Sequence, residues 1–386
     1  MAVYFVSYLT RVNYGAVISE IVAAEGIKKS LASLALTGSA VTYGLGQLLS
    51  GYMGDKIEPK CFISFGLIVT VTLNLLLSLC RSVYPMIVIW SINGLAQACM
   101  WPPLVRLMTA LLSRTDYQRT CITVSWGGSF GTIAVYLISP VMIQWFGWRS
   151  VFILSAFMAA IMLVIWIFRC PDIENEATGK AEFVENRIKK KNSLPPIIWV
   201  IMFSIAFEGM LRDGVTTWMP SLISENFNLS SSISIFSSVV LPLFSIFAYK
   251  ITQIIYEKTN GNAVFFSGIL FLSAVANGFV MSLTFRNNLI ISIAVSALLV
   301  GAMHGISLLM TCMVPPFFKK YGKVAFVSGL LNACTYVGSA ASTYGIAAFS
   351  ENFGWKNTIY TWCLCALLGA LLCLSVSAKW KKFTHL

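Results

Sequence analysis

The chain has 386 residues, of which 57% are hydrophobic and 11% charged, with a formal net charge of +12 and a mean hydropathy of +0.78. Soluble chains are roughly 45–50% apolar and about 25% charged, so a water-soluble domain of this size is excluded and a lipid bilayer is the expected solvent. The positive excess lies in short segments between apolar runs, which reads as a membrane-orientation signal and not as a nucleic-acid surface.

A membrane-spanning helix takes roughly 20 apolar residues, and twelve such stretches can be marked along the chain. The first six are about Met1–Ile21, Leu31–Met53, Cys61–Leu79, Pro85–Leu112, Arg119–Trp145 and Arg149–Ile167. Met1–Val22 lacks the basic start of a cleavable signal peptide, and the ten residues before Arg11 make a short beginning, so a longer natural N-terminus is one expectation. The next six are about Ile197–Ser221, bent near Pro220, then Ser231–Tyr256, Ala263–Leu283, Leu289–Val314, Lys323–Ser350 and Asn357–Ala378. The polar stretch Arg169–Pro196 separates them and has no apolar run longer than two residues. The expected organisation is an all-α, polytopic membrane protein: a six-helix bundle over 1–168, a cytoplasmic linker over 169–196, and a second six-helix bundle with a short tail over 197–386.

Orientation follows from the basic residues. With the linker cytoplasmic, 18 of the 27 Lys/Arg fall on its side, 6 on the opposite side, and 3 (Arg11, Arg106, Arg212) inside spans. Both termini are therefore expected in the cytoplasm. The two halves also resemble each other. Phe146-Gly147-Trp148-Arg149 recurs as Phe353-Gly354-Trp355-Lys356, 207 residues later, and the Pro-Pro steps at Pro102 and Pro315 are 213 apart. Two parallel six-helix repeats with a site between them are a transporter architecture.

An arginine inside a span is costly, about 2.5–3.5 kcal/mol on insertion scales, and so points to a partner or a ligand. Arg11 and Arg212 are 201 residues apart, close to the repeat offset. Facing each other across a central cavity, they would bind an anion, because a guanidinium offers a two-pronged donor edge to phosphate or carboxylate oxygens. A local alternative stands for Arg212, since Glu208 lies four residues before it in the favourable helical order. Asp213 and His304 are candidates for a proton site or for structural partners, and Glu208 joins them as an acid that can titrate. Arg106 is read as a packing or pairing residue. The turn Gly51-Tyr52-Met53-Gly54-Asp55-Lys56 is expected to act as a conformational latch, with Gly51 allowing close helix approach and Asp55 meeting a helix N-terminus or a base.

The ten cysteines include no CxxC pair, and the Cys363–Cys365 spacing is wrong for a shared metal, so they are expected to be packing residues with no metal or cofactor. Nothing suggests an enzyme.

The pattern G-x-x-x-D-K resembles the signature between the second and third helices of the major facilitator superfamily. Tyr8-Leu-Thr-Arg11-Val-Asn13, Tyr43-Gly44, Trp101-Pro102-Pro103, Leu211-Arg212-x-Gly214 with Trp218-x-Pro220, and Phe353-Gly354-Trp355 are similar to the organophosphate:phosphate antiporters, whose best-known members carry glycerol 3-phosphate and hexose phosphates. That resemblance implies that Arg11 and Arg212 bind a substrate phosphate and that inorganic phosphate is exchanged for a phosphorylated metabolite across the inner membrane. Tyr8, Asn13, Tyr43, Gln47 and Trp126 are the expected lining. The chain departs from the glycerol-3-phosphate transporters at Gln47 (their lysine), Phe130 (their histidine) and Thr217 (their acid). Asp213 and His304 are not accounted for by the match. The alternatives are a proton-coupled symporter of organic or sugar acids, and a transporter-like protein that senses the anion without moving it. A monomer is expected by analogy.

Overall fold

The computed structural model describes residues 1–27, 29–171, 194–227, 240–258 and 261–384. Among these residues every regular element is helical. The helices are α1 (Ala2–Glu25), α2 (Lys29–Gly54), α3 (Pro59–Leu79), α4 (Val83–Leu111), α5 (Arg114–Phe146) and α6 (Arg149–Arg169). They continue with α7 (Ile197–Phe227), α8 (Val240–Lys258), α9 (Ala263–Thr284) and α10 (Leu289–Tyr321). A final run, Val324–Thr384, is broken at Gly354 into α11 (324–353) and α12 (355–384). The central linker over 172–193 and the first third of the expected eighth span, 231–239, lie outside the described residues.

Eight helices of the described chain are long and apolar enough to cross a membrane by length and composition; α1, α2, α7 and α8 are not among them. Those four are the first two helices of each half, and they hold Arg11, Asn13, Gln47, Glu208, Arg212, Asp213 and Lys250. Lys250, counted from the sequence with the cytoplasmic loops, lies inside α8.

Two compact units divide the chain. Met1–Ser193 and Phe318–Ala333 form one, and Leu194–Phe317 and Cys334–Leu386 the other, so the end of α10 and the start of α11 belong with the first. Within the first unit α1 packs on α5 and α6, α2 on α4, and α3 on α4 and α6; within the second α10 packs on α7, α8 and α9. The α1–α6 end of the first unit is an aromatic cluster in which the Trp90 ring stands 5.3 Å from Tyr14 and 5.9 Å from Phe152. Buried Tyr14 donates its hydroxyl to the Ala32 carbonyl at 3.1 Å. The bond gives the buried tyrosine hydroxyl the partner it needs.

The duplication is visible in backbone geometry. Gly147 and Gly354, the glycines of the two Phe-Gly-Trp turns, have φ/ψ of 76°/167° and 74°/169°. A side chain at either position would be strained. Each turn is tied to the end of its half's first helix. Arg149 donates to Glu25 at 2.8 Å, and the Trp355 indole N–H donates to Glu225 at 2.6 Å.

Several boundaries differ from the sequence expectation. The fourth span is not one regular helix: regular helix stops at Ala98 and resumes at Trp101. Pro102 and Pro103 lack the N–H that would continue the ladder across Cys99 and Met100. The tenth span does not end at Val314 but passes through a π-helical stretch, Leu308–Met313, into a 3-10 segment, Pro315–Tyr321. The first helix runs on to Glu25 and the last to Thr384, and α7 remains helical through Pro220.

Candidate substrate-binding site

In the first unit, Arg11 sits on α1 one turn after Tyr8. Its guanidinium carbon lies 4.4 Å from the Tyr8 ring centroid and 4.5 Å from that of Tyr43 on α2. A cation held over two ring faces is attracted by the negative potential of each face. Tyr8 is seated by the glycines of α5: a Cβ on Gly128 would lie 2.9 Å from the Tyr8 ring, and one on Gly131 would lie 2.6 Å from the Phe5 carbonyl oxygen. The sequence Trp126-Gly127-Gly128-Ser129-Phe130-Gly131 thereby lets α5 approach α1 closely enough to set Tyr8, and Trp126 itself is half-buried on that helix.

Asn13 is fully buried. Its amide donates to Asn74 Oδ1 on α3 at 2.9 Å. It belongs to a polar network in which Gln97 donates to Thr10 Oγ1 at 2.8 Å, Ser7 donates to Gln97 Oε1 at 2.6 Å, and Asn93 donates to the Thr10 carbonyl at 3.0 Å. This network ties α1 to α3 and α4 below the arginine. Gln47 is also fully buried, and neither of its amide atoms has a hydrogen-bond partner among the described residues.

In the second unit, Arg212 of α7 is enclosed by acids. Its Nε donates to Asp213 Oδ1 at 2.8 Å and its Nη2 to Asp213 Oδ2 at 3.1 Å. Nη1 donates to Glu208 Oε1 at 3.1 Å, and Ser307 Oγ of α10 lies 3.4 Å away. The acids are themselves held by α11: Ser339 donates to Asp213 Oδ2 at 2.6 Å, and Thr335 donates to Glu208 Oε2 at 3.3 Å. Two glycines bring α7 and α11 together, since a Cβ on Gly209 would overlap the Thr335 carbonyl and one on Gly338 would overlap that of Ala206. His304 of α10 shares its Nδ1 with the Tyr249 hydroxyl of α8 at 3.0 Å. Asp213 and His304, which the sequence left open between proton and structural roles, are thus placed in one polar group with Arg212.

The loop between α2 and α3 is a third polar centre. Asp55 accepts the backbone N–H groups of Ala325 and Phe326 at 2.8 Å each, at the start of α11. Unpaired N–H groups of a first helical turn favour a carboxylate there. Burial pushes the Asp55 carboxyl up to about 6, against the pull of the two amides and of Arg106 and Lys323. Gly51 permits the approach, because a Cβ there would lie 2.9 Å from the Ala325 carbonyl oxygen and 3.1 Å from Phe326 Cα. Lys56 does not join this contact: its ammonium lies 3.9 Å from the Tyr52 ring centroid and bonds the Tyr52 hydroxyl. Arg106, read from the sequence as a packing or pairing residue, donates to the Gly54 and Ile57 carbonyls at 2.7 and 2.9 Å, at the loop that presents Asp55.

The family model described as Major Facilitator Superfamily matches residues 1–343. The chain belongs to that superfamily. Its members are transporters and not enzymes. Among its relatives is the probable hexose phosphate transport protein of Chlamydia muridarum, 25% identical over 96% of this chain and 88% of that protein. The membrane sensor protein UhpC of Escherichia coli is 24% identical over 58% of this chain and 55% of its own length. Among solved structures, the proton:xylose symporter XylE superposes with a TM-score of 0.76, covering 97% of this chain and 95% of its own at 11% identity, which shows the fold. The superfamily fold is that of twelve transmembrane helices in two pseudo-symmetric six-helix bundles.

Proposed function

We propose that this superfamily member is a secondary carrier that moves a phosphorylated metabolite, a hexose phosphate in the first instance, across the inner membrane by alternating access. Inorganic phosphate is the exchanged ion, Arg11 and Arg212 bind the phosphoryl group, both termini are cytoplasmic, and the functional unit is a monomer. The observation that carries this reading is the placement of Arg11 over the Tyr8 and Tyr43 rings. A guanidinium stacked on aromatic faces keeps its full positive charge, and a positive charge inside a span attracts an oxyanion. The Chlamydia relative supplies the substrate class. Asp55, docked on the first turn of α11, holds one conformation until transport requires its release.

The UhpC relative supports a second reading, in which the anion is bound and reported but not moved. Proteoliposomes decide between them. Uptake of radiolabelled hexose 6-phosphate that requires phosphate inside supports the exchanger. Uptake into phosphate-free vesicles removes the exchange step but keeps the carrier. Saturable binding without uptake in either case is the sensor.

A further inference from the structure

All three nitrogens of the Arg212 guanidinium are engaged within its own unit. Asp213 occupies the Nε–Nη2 edge through two bonds of 2.8 and 3.1 Å, while Nη1 is taken by Glu208 and Ser307. The Nε–Nη2 edge is the one that matches two oxygens of a phosphate or carboxylate. An oxyanion therefore reaches the two-pronged edge only by displacing Asp213. With both acids ionised the Arg212–Glu208–Asp213 group has a formal charge of −1, so a displaced carboxylate would face the incoming anion as a like charge.

We propose that Asp213 is a proton-linked gate on Arg212: a bound oxyanion takes over the Nε and Nη2 bonds, and the released carboxylate takes up one proton from water. This rests on the reading of Arg212 as an anion ligand and adds a proton to its binding step. Two features select Asp213 over Glu208. The Asp213 side chain is 30% exposed, whereas that of Glu208 is 0% exposed and sits on the Nη1 side, away from the two-pronged edge. Ser339 also stands 2.6 Å from Asp213 Oδ2. Its hydroxyl donates to the carboxylate, and it can turn to accept from the protonated acid. The charged and titratable groups facing Asp213 are Arg212 and Glu208 from its own helix and His304 from α10, while Tyr336 of α11 faces Arg212. Bond for bond, two N–H···O contacts pass from carboxylate to oxyanion, one O–H bond of a solvent hydronium ion breaks as one O–H bond forms on Asp213, and no other group changes its covalent state.

The test is the number of protons absorbed per inorganic phosphate bound, read with an indicator dye in weakly buffered detergent solution for the native chain, Asp213→Asn and Glu208→Gln. Phosphate has its own titration near neutral pH, which the difference between native and variant removes. The expected result is one proton more for the native chain than for Asp213→Asn, with Glu208→Gln like the native chain. The native affinity should also fall about tenfold per pH unit relative to Asp213→Asn at pH values between the Asp213 titrations of the free and the anion-bound chain. Equal proton uptake by native and Asp213→Asn overturns the gate, as does loss of the extra proton in Glu208→Gln alone. Should Asp213→Asn fail to fold, Asp213→Ser serves in its place. Absence of phosphate binding by the folded native chain overturns the ligand reading itself, an outcome distinct from binding without proton uptake.

Discussion

Ser339 of α11 donates to Asp213 of α7 at 2.6 Å, so the acid that grips Arg212 is itself positioned by another helix. The contact exists because α7 and α11 meet backbone to backbone at Gly209 and Gly338. Gly338→Ala must push α11 away from the Ala206 carbonyl. We expect a loss of roughly 1–3 kcal/mol of stability, the usual cost of overpacking, read as a lower Tm in detergent, together with weakened phosphate binding. An unchanged Tm with native binding would show that the crossing tolerates the methyl group.

The equivalent crossing in the first unit seats Tyr8 on Gly128. Gly128→Ala is expected to displace the Tyr8 ring and disturb the cation–π contact with Arg11, which is worth about 0.5–2 kcal/mol. Tyr8→Phe keeps the ring face and should bind phosphate within a few-fold of the native chain. Tyr8→Leu removes the face and should bind more weakly. Equal affinities for the Phe and Leu variants would deny the ring a role.

For the latch, the pH dependence has a definite sign. Asp55 against α11 titrates at about 6, up from 3.8, because burial outweighs the Ala325 and Phe326 amides, Arg106 and Lys323. The docked state therefore binds a proton more readily than a released, solvated Asp55. Proton-linked stabilisation of the docked state is full below about 3.8 and is lost as pH rises through about 6. Hydrogen exchange at the Ala325 and Phe326 amides, taken as the ratio of native to Asp55→Asn at each pH, should rise between pH 5 and 7. A ratio that does not change with pH would rule out titration of Asp55 in that range.

Arg149 gives a contrasting case. Its bond to Glu25 is short, but the Arg149 side chain is 41% exposed. Such a pair is worth roughly 0–1 kcal/mol. Arg149→Ala should shift Tm only slightly, whereas Trp148→Ala, which empties a buried aromatic site, should cost about 3–5 kcal/mol. A large effect from Arg149→Ala alone would mean that its second bond, to the Cys80 carbonyl at 3.0 Å, holds the turn together.

Much of this was legible in the sequence because membrane solvent makes hydropathy and rare charges informative. The Phe-Gly-Trp repeat announced the duplication, and its two glycines share one backbone conformation. The Glu208–Arg212 pair followed from helical spacing. The two-bond grip of Asp213 did not, since neighbouring residues on a helix point about 100° apart and only side-chain rotamers bring them together. Arg106 was legible as a pairing residue, but its partners were not, because they are backbone carbonyls of a loop about 50 positions away. The π-helical stretch in α10 was hidden because its mostly apolar sequence, Leu308–Met313, carries no glycine or proline to mark it.

The most direct test of the two-arginine account is exchange of labelled phosphate by phosphate-loaded proteoliposomes containing the native chain, Arg11→Lys or Arg212→Lys. Lysine keeps the charge but loses the two-pronged donor edge, and charge-assisted hydrogen bonds are worth about 1.5–3 kcal/mol each. We expect rapid exchange by the native chain and at least roughly a tenfold loss in each variant. Native-rate exchange by either variant would contradict phosphate binding at that arginine.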